Sequence, residues 1–585
     1  MKVIDDRASC PVYRNAHRTG VNVIKTRFVT AAVAVSCLLL VAAGCGDDDD
    51  DSASTTASEE VTSADQGTTS VASESSAAPG TIAPGTTEPG TTTESGEKLV
   101  LRTRVSTDPT GWDPLLAATP AEQIGGTLMY ERLINASPDG KGITNILVDT
   151  WEPSDDGLTI DFTLKKGIQF HKGYGELTMD DVKFSLERFA GITYPESGFA
   201  SFWAALKSID IIDSHTGRFV FSEPSVSIVS QQMPITPIFS KKAWDELGSE
   251  GFAQNPVGSG PYELKETVPG EHATFSAFAD YGGAQPWVPE RRFDEITFQV
   301  IGEDSAAELA FEGGDLDLLA PMRAAAVSRF EGLDNTTVDQ ATTMIYRFIG
   351  MNVTDPDLAD PNLRKAIIAA IDVPSIIDAT SEGKDTRATA IVAPSSPIGY
   401  WADAPVHDQD LDAARAFMAE VPEGNRHFKF TVVNDEISRT IAQIVQANLA
   451  EIGLDIEIES LDPAAYWVTG DPIKTRQMFY QEGGINYREP TQELVWFTCD
   501  HVVDWNWQQW CDEEYSSLFD QVQSDLDPSS RQQTYEQMQQ IWDEAANTVW
   551  ISHPTAFIAS RSDKVSLTID PSGTLYWTAV TPVAG

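Results

Sequence analysis

Between Phe428 and Ile458 the apolar spacing of the chain changes from two to about 3.6 and back again, which constrains the fold more than any other stretch. Phe428, Phe430 and Val432 alternate as a strand. Asn434 or Asp435 can cap a helix in which Ile437, Ile441, Ile444, Val445, Leu449 and Ile452 form one apolar stripe, and Gly453 ends it. Leu454, Ile456 and Ile458 make the next strand. Strands joined through a helix run parallel, so the stretch is a βαβ unit in a parallel sheet.

The first half alternates differently. Leu158, Ile160, Phe162 and Leu164 alternate with Thr159, Asp161 and Thr163 as a half-buried strand after a turn at Asp155-Asp156-Gly157. Lys165-Lys166-Gly167 can turn the chain into a second short strand over residues 168–171. Thr178-Met179-Asp180-Asp181 has the form of a capping box, with Val182, Leu186 and Phe189 at helical spacing behind it. Asp360-Pro361 opens another amphipathic helix, with Leu363, Ile367, Ala370 and Ile371 on one face. At 585 residues the chain exceeds one core, given ~100–200 residues per domain. The expected class is therefore α/β with mixed sheets in at least two lobes, and such sheets place ligands at strand ends and domain junctions.

The N-terminal region carries processing signals. An apolar run from Phe28 to Ala43 follows Lys25 and Arg27 and stops short of the ~20 apolar residues a spanning helix needs, so it reads as a secretory signal, with an uncleaved anchor as the alternative. Ala42-Ala43-Gly44-Cys45 resembles a bacterial lipobox, with Ala42 where Leu is commoner, and implies lipid on Cys45. Residues 46–97 contain only Gly, Asp, Glu, Ser, Thr, Ala, Val, Gln, Pro and one Ile, too little apolar surface to offset ordering entropy. That segment is expected to be a disordered tether spanning ~40 Å. Cys10 and Cys37 would leave with the signal, so Cys499 and Cys511 remain as a disulfide in an oxidising compartment, or as two free thiols.

A formal charge of −48 argues against nucleic acid, whose phosphates need Lys and Arg. Only twelve of the 88 acids fall between Asp47 and Glu97, so most of the excess belongs to the folded part as a solvated surface. The chain has no GxSxG, HExxH or SxxK with its partners, no CxxC and no paired His spacing. Neither an enzyme, a cofactor nor a metal centre is expected.

Several segments resemble the peptide/nickel class of extracytoplasmic solute-binding proteins that serve ATP-binding-cassette importers. The strongest runs from Trp151-Glu152-Pro153-Ser154-Asp155-Asp156-Gly157 through Phe162-Thr163-Leu164-Lys165-Lys166-Gly167-Ile168-Gln169-Phe170-His171 to Asp180-Asp181-Val182-Lys183-Phe184-Ser185-Leu186-Glu187-Arg188. Trp112-Asp113-Pro114, Asn255-Pro256-Val257-Gly258-Ser259-Gly260-Pro261-Tyr262, Gly313-Gly314-Asp315-Leu316-Asp317 and Met351-Asn352 follow the family's order. These motifs read as scaffold: Gly258 and Gly260 suit positive φ or close approach, and no Lys follows to cradle phosphate.

The resemblance implies a two-lobed, periplasmic-binding-protein-like (type II) fold hinged by two or three crossings. Lobe one would hold residues 98–340 and 559–585, with a subdomain inserted at about 136–256, and lobe two residues 341–558. It implies a monomer outside the cell, held to the membrane by lipid, that captures a small solute, a peptide being the expected one, and serves a membrane permease. A nickel chelate or a blocked amide compound is the alternative solute, and a secreted hydrolase a distant one.

In peptide-binding members an Asp of lobe two pairs with the peptide ammonium, and Asn486 stands at that position here, beside Tyr487. Either a nearby carboxylate (Glu482, Glu489 or Asp504) supplies the charge, or the ligand lacks a free ammonium. Trp505, Trp507 and Trp510, inside the cysteine loop, are candidates to stack on the ligand or to pack the loop, with Tyr400 and Trp401 as weaker ones.

Overall fold

A computed structural model describes residues 98–583 apart from 141, 196, 198, 226–227, 425, 485–488, 503 and 571. The signal segment, Cys45, the tether, Asn486 and Tyr487 lie outside the described residues.

Two large mixed sheets organise the described chain. The first has seven strands in the order Tyr262–Val268, His272–Ala277, Glu295–Val300, Val100–Val105, Leu318–Met322, Thr555–Arg561 and Thr336–Thr342. Val100–Val105 runs parallel to both neighbours, and the other pairs are antiparallel. The second has six, in the order Thr386–Arg387, Thr548–His553, Ile345–Met351, Met478–Gly484, His427–Val433 and Asp455–Leu461. Each sheet buries its own apolar face, Leu101, Phe275 and Phe298 in one core and Ile349, Phe428 and Phe430 in another. These are the two lobes.

The chain passes from the first sheet to the second across Thr343-Met344 and returns across Pro554. Thr343 donates both its backbone N–H and its Oγ1 hydroxyl to the Pro554 carbonyl at 2.8 Å, so the crossings are bonded to each other. Thr555–Arg561, directly after Pro554, pairs in the seven-stranded sheet.

The βαβ unit forms from His427–Val433, Glu436–Ala450 and Asp455–Leu461, with the strands parallel. Asp435 is the N-cap, accepting from Ser438 N at 2.8 Å, and Gly453 turns the chain at φ 80°. Ile441, Val445 and Leu449 are buried, whereas Ile437, in the first turn, is exposed.

A four-stranded sheet pairs Val148–Pro153, Thr159–Leu164, Thr216–Phe221 and Leu206–Asp213. Here the expected second strand over residues 168–171 is replaced by a loop making one bridge, Gln169 to Glu176. The reason is that Thr159–Leu164 has both edges occupied by Val148–Pro153 and Thr216–Phe221.

The family motifs are buried joints. Arg188, in the capped helix Met179–Phe189, makes a two-pronged bond to Asp113 at 3.0 and 2.8 Å, and its guanidinium lies 3.9 Å from the Trp244 ring centre. His171 bonds through Nε2 to the Gly260 carbonyl at 2.9 Å, and its Nδ1 accepts from Gly258 N at 3.3 Å. Burial lowers its imidazole to about 4, so it is neutral at ordinary pH. A Cβ at Gly258 would sit 2.0 Å from the Met129 carbonyl oxygen, and one at Gly260 2.4 Å from that of Leu128. Of the two reasons for these glycines, close approach is the operative one, because neither adopts positive φ.

Candidate ligand-binding cleft

Two cavities open where the lobes face each other. The larger, about 860 Å³, has Asn135, Ala136, Ile143, Ile235, Asp570 and Tyr576 on the first-lobe side. Met344, Pro397, Ile398, Glu489, Arg531, Gln532 and Glu536 face them from the second lobe. Its size lies within the range of ~300–1,000 Å³ usual for small-molecule sites, and apolar and polar side chains share its walls. The second, about 720 Å³, lies between Phe202, Glu223 and Gln232 on one side and Gln492, Val495, Trp496, His501 and Asp520 on the other.

The polar groups of the larger cavity are held by their surroundings. Glu489 accepts from Arg531 Nε at 3.0 Å and Nη2 at 3.3 Å and from the Tyr535 hydroxyl. Burial and the adjoining Glu489 push the Tyr535 phenol far above its ordinary value, keeping it a donor. Gln532 receives Gly399 N at 2.6 Å and donates to the Tyr400 carbonyl at 3.0 Å, which fixes the loop carrying Pro397 and Ile398. Gly399 is at φ 88°, and a Cβ there would lie 2.7 Å from Pro490 Cγ. Asp570 accepts from Ser572 N at 2.8 Å and Thr574 N at 3.1 Å, and Tyr576 donates to the Ala136 carbonyl at 3.0 Å.

The carboxylates of this part of the second lobe differ in availability. Glu482 is bonded to Arg347 at 2.6 Å, and Arg347 also reaches Asp385 at 2.9 Å. Glu489 is engaged as described. Asp504 is half-exposed beside His501 Nδ1 at 3.3 Å. Glu493 accepts from the Tyr346 hydroxyl at 2.7 Å, and burial raises its carboxyl to about 7.

The aromatic candidates divide. Trp507 is fully buried, with Arg476 4.3 Å above its ring and Tyr466 and Phe479 edge-on, and Trp510 packs on Tyr515 and Trp542. Both indoles pack the interior of the loop and leave little face open. Trp505 is half-buried between Trp507 and Trp496, at centroid distances of 6.3 and 6.4 Å. Tyr400 and Trp401 follow the cavity-lining Ile398 but line neither cavity. The tryptophan of this region that faces one of the two cavities is Trp496, edge-to-face with His501 at 5.0 Å. Sequence reasoning passed over it, and also over Arg531, Gln532 and Glu536 on the helix Pro528–Glu544. The only signal for Trp496 was its place shortly after Pro490-Thr491.

Cys499 and Cys511 are bonded to each other, closing the loop that holds Trp505, Trp507 and Trp510. Among the described residues, no group of three or more His, Cys, Asp or Glu is placed to hold a metal ion, and no helix is long and apolar enough to cross a membrane.

Residues 142–502 match the model of the bacterial extracellular solute-binding proteins, family 5 Middle. The chain belongs to this family. The dipeptide-binding protein of Escherichia coli (strain K12) is 22% identical over 502 residues, covering 80% of this chain and 91% of that protein. The periplasmic binding protein DppA from Helicobacter pylori, in complex with peptide STSA, has TM-score 0.69 at 23% identity, covering 83% of this chain and 98% of that one. NikA from Brucella suis in complex with Fe(III)-EDTA has TM-score 0.72 at 19% identity, covering 83% and 99%. This family 5 protein thus has the two-lobed type II fold of the peptide/nickel class of ATP-binding-cassette importers. It is an extracytoplasmic solute-binding protein and not an enzyme.

Proposed function

We propose that this family 5 protein captures a small peptide or peptide-like solute between its lobes and delivers it to a membrane permease. The observation that carries this reading is the cavity of about 860 Å³ walled by both lobes. Relatives named for dipeptides and a neighbour holding peptide STSA support the ligand class. Closure would turn about the paired crossings at Thr343 and Pro554, which are short and joined by two hydrogen bonds. On this reading the first lobe comprises residues 98–342 and 555–583 and the second residues 345–553. A lipid on Cys45 and the tether of residues 46–97 would hold the monomer near its permease; Cys45→Ala should then release it from the membrane or block its processing.

A second reading of the ligand has its own support. Asn486 replaces the expected acid, and both Glu482 and Glu489 are engaged by arginines. A solute lacking a free ammonium, such as a blocked peptide, would not need that charge. Calorimetric titration of one dipeptide with free and acetylated N-termini separates the readings. Comparable affinity for both favours the blocked class; a free form binding more than about tenfold tighter favours the ordinary one, since a charge-assisted bond adds ~1.5–3 kcal/mol. Binding of neither, with no peptide co-purifying, counts against the peptide reading altogether.

A further inference from the structure

The second cavity, of about 720 Å³, has a chemistry of its own. Among the described residues no Lys or Arg lines it, and beside His501 its titratable groups are Glu223 from the first lobe and Asp520 from the second. Gln232 is buried, 2% exposed, yet its Oε1 accepts no hydrogen bond, and the Oε1 of Gln492 across the cavity is in the same position. A buried carbonyl oxygen left unpaired is unfavourable, and a ligand donor would relieve it. The indole of Trp496 supplies a flat wall.

We infer that this cavity is a subsite for a cationic, multiply hydrogen-donating group of the ligand, best matched by a guanidinium. The inference rests on the peptide reading above and deepens it: the preferred solutes are peptides bearing arginine or a similar side chain. A guanidinium has N–H donors and no acceptor, which suits two amide oxygens and two carboxylates, and its plane can lie on Trp496. Two carboxylates lining a cleft with low-dielectric walls attract the same charge. Because Glu223 and Gln232 belong to one lobe and Asp520, Gln492 and Trp496 to the other, a group bound here is held from both sides.

The test uses the full folded chain and paired tripeptides, alanine at two positions and arginine or its uncharged isostere citrulline at the third, with each position tried in turn by calorimetry. At one position the arginine form should bind on the order of tenfold tighter. The double variant Glu223→Gln, Asp520→Asn should remove that difference, and Gln232→Leu should shrink it. Arginine and citrulline forms within twofold of each other at every position, or a preference that survives the double variant, overturns the inference. If no tripeptide binds, the peptide reading fails, and agmatine, a guanidinium without a peptide, decides the subsite. Agmatine binding that the double variant weakens sustains it; no binding overturns it.

Discussion

Arg531 and Glu489 form a two-pronged ion pair on the second-lobe wall of the larger cavity, with side-chain exposures of 10% and 3%. Glu489 is one of the three carboxylates, with Glu482 and Asp504, that the sequence nominates to stand in for the acid missing at 486, and its oxygens are already engaged by Arg531 and Tyr535. Removing one partner strands a buried charge. Arg531→Met is therefore expected to cost ~3–5 kcal/mol, while Arg531→Met with Glu489→Gln recovers most of it. Urea unfolding of the three proteins checks this, and a double variant no more stable than the single one refutes it.

Glu493 introduces a pH dependence. Burial lifts its carboxyl from 4.5 to about 7, and the Tyr346 bond only partly opposes this. The folded chain holds this proton more tightly than the unfolded one, so the group's contribution to stability is full below pH 4.5 and lost as pH rises through 7. Glu493→Gln carries no such charge. Relative to the native chain it should gain on the order of 3 kcal/mol between pH 4 and pH 8. Equal shifts of the two unfolding midpoints across that range would show that Glu493 does not titrate as described.

At Gly258 the chain passes against the Met129 carbonyl, where a Cβ would lie at 2.0 Å. The obstacle is backbone, which cannot rotate away, and the same strand of chain pins His171. Gly258→Ala should cost at least about 3 kcal/mol or abolish soluble expression. Gly142→Ala, with nothing within 4 Å, should stay within about 0.5 kcal/mol of the native chain. Thermal unfolding of both gives the comparison, and similar midpoints would contradict the close-approach account.

The bond between Cys499 and Cys511 closes a separation of 12 residues, for which the chain-entropy model gives about 3 kcal/mol. Native, unreduced protein should resist thiol labelling at both cysteines, and reduction should lower the unfolding midpoint. Labelling of both without reductant would exclude the pairing in solution.

Local patterning made the elements legible, because alternation and helical spacing are set by neighbours in sequence. The βαβ unit is the clearest case, with Asp435 as cap and Gly453 as stop. The strand expected over residues 168–171 failed because pairing is a property of the sheet: Thr159–Leu164 takes the preceding strand Val148–Pro153 on one edge and the distant Thr216–Phe221 on the other. The burial of the candidate aromatics was illegible for a related reason. Trp496, Trp505, Trp507 and Trp510 share one region and similar polar neighbours, and only the packing of Tyr466, Phe479 and Trp542 decides which indoles are enclosed. Arg531 and Glu489 lie 42 positions apart, beyond the reach of any local pattern.

The enclosed indoles of Trp203, Trp507 and Trp542 have an optical consequence. Shielded from water, they should dominate a blue-shifted intrinsic emission that reports on the cores and responds little to solute. Trp496, at a cavity wall, is the indole placed to be quenched or brightened by an occupant. Total fluorescence would then understate binding, because one responsive ring is diluted by many silent ones, and selective labelling at position 496 would isolate the responsive signal.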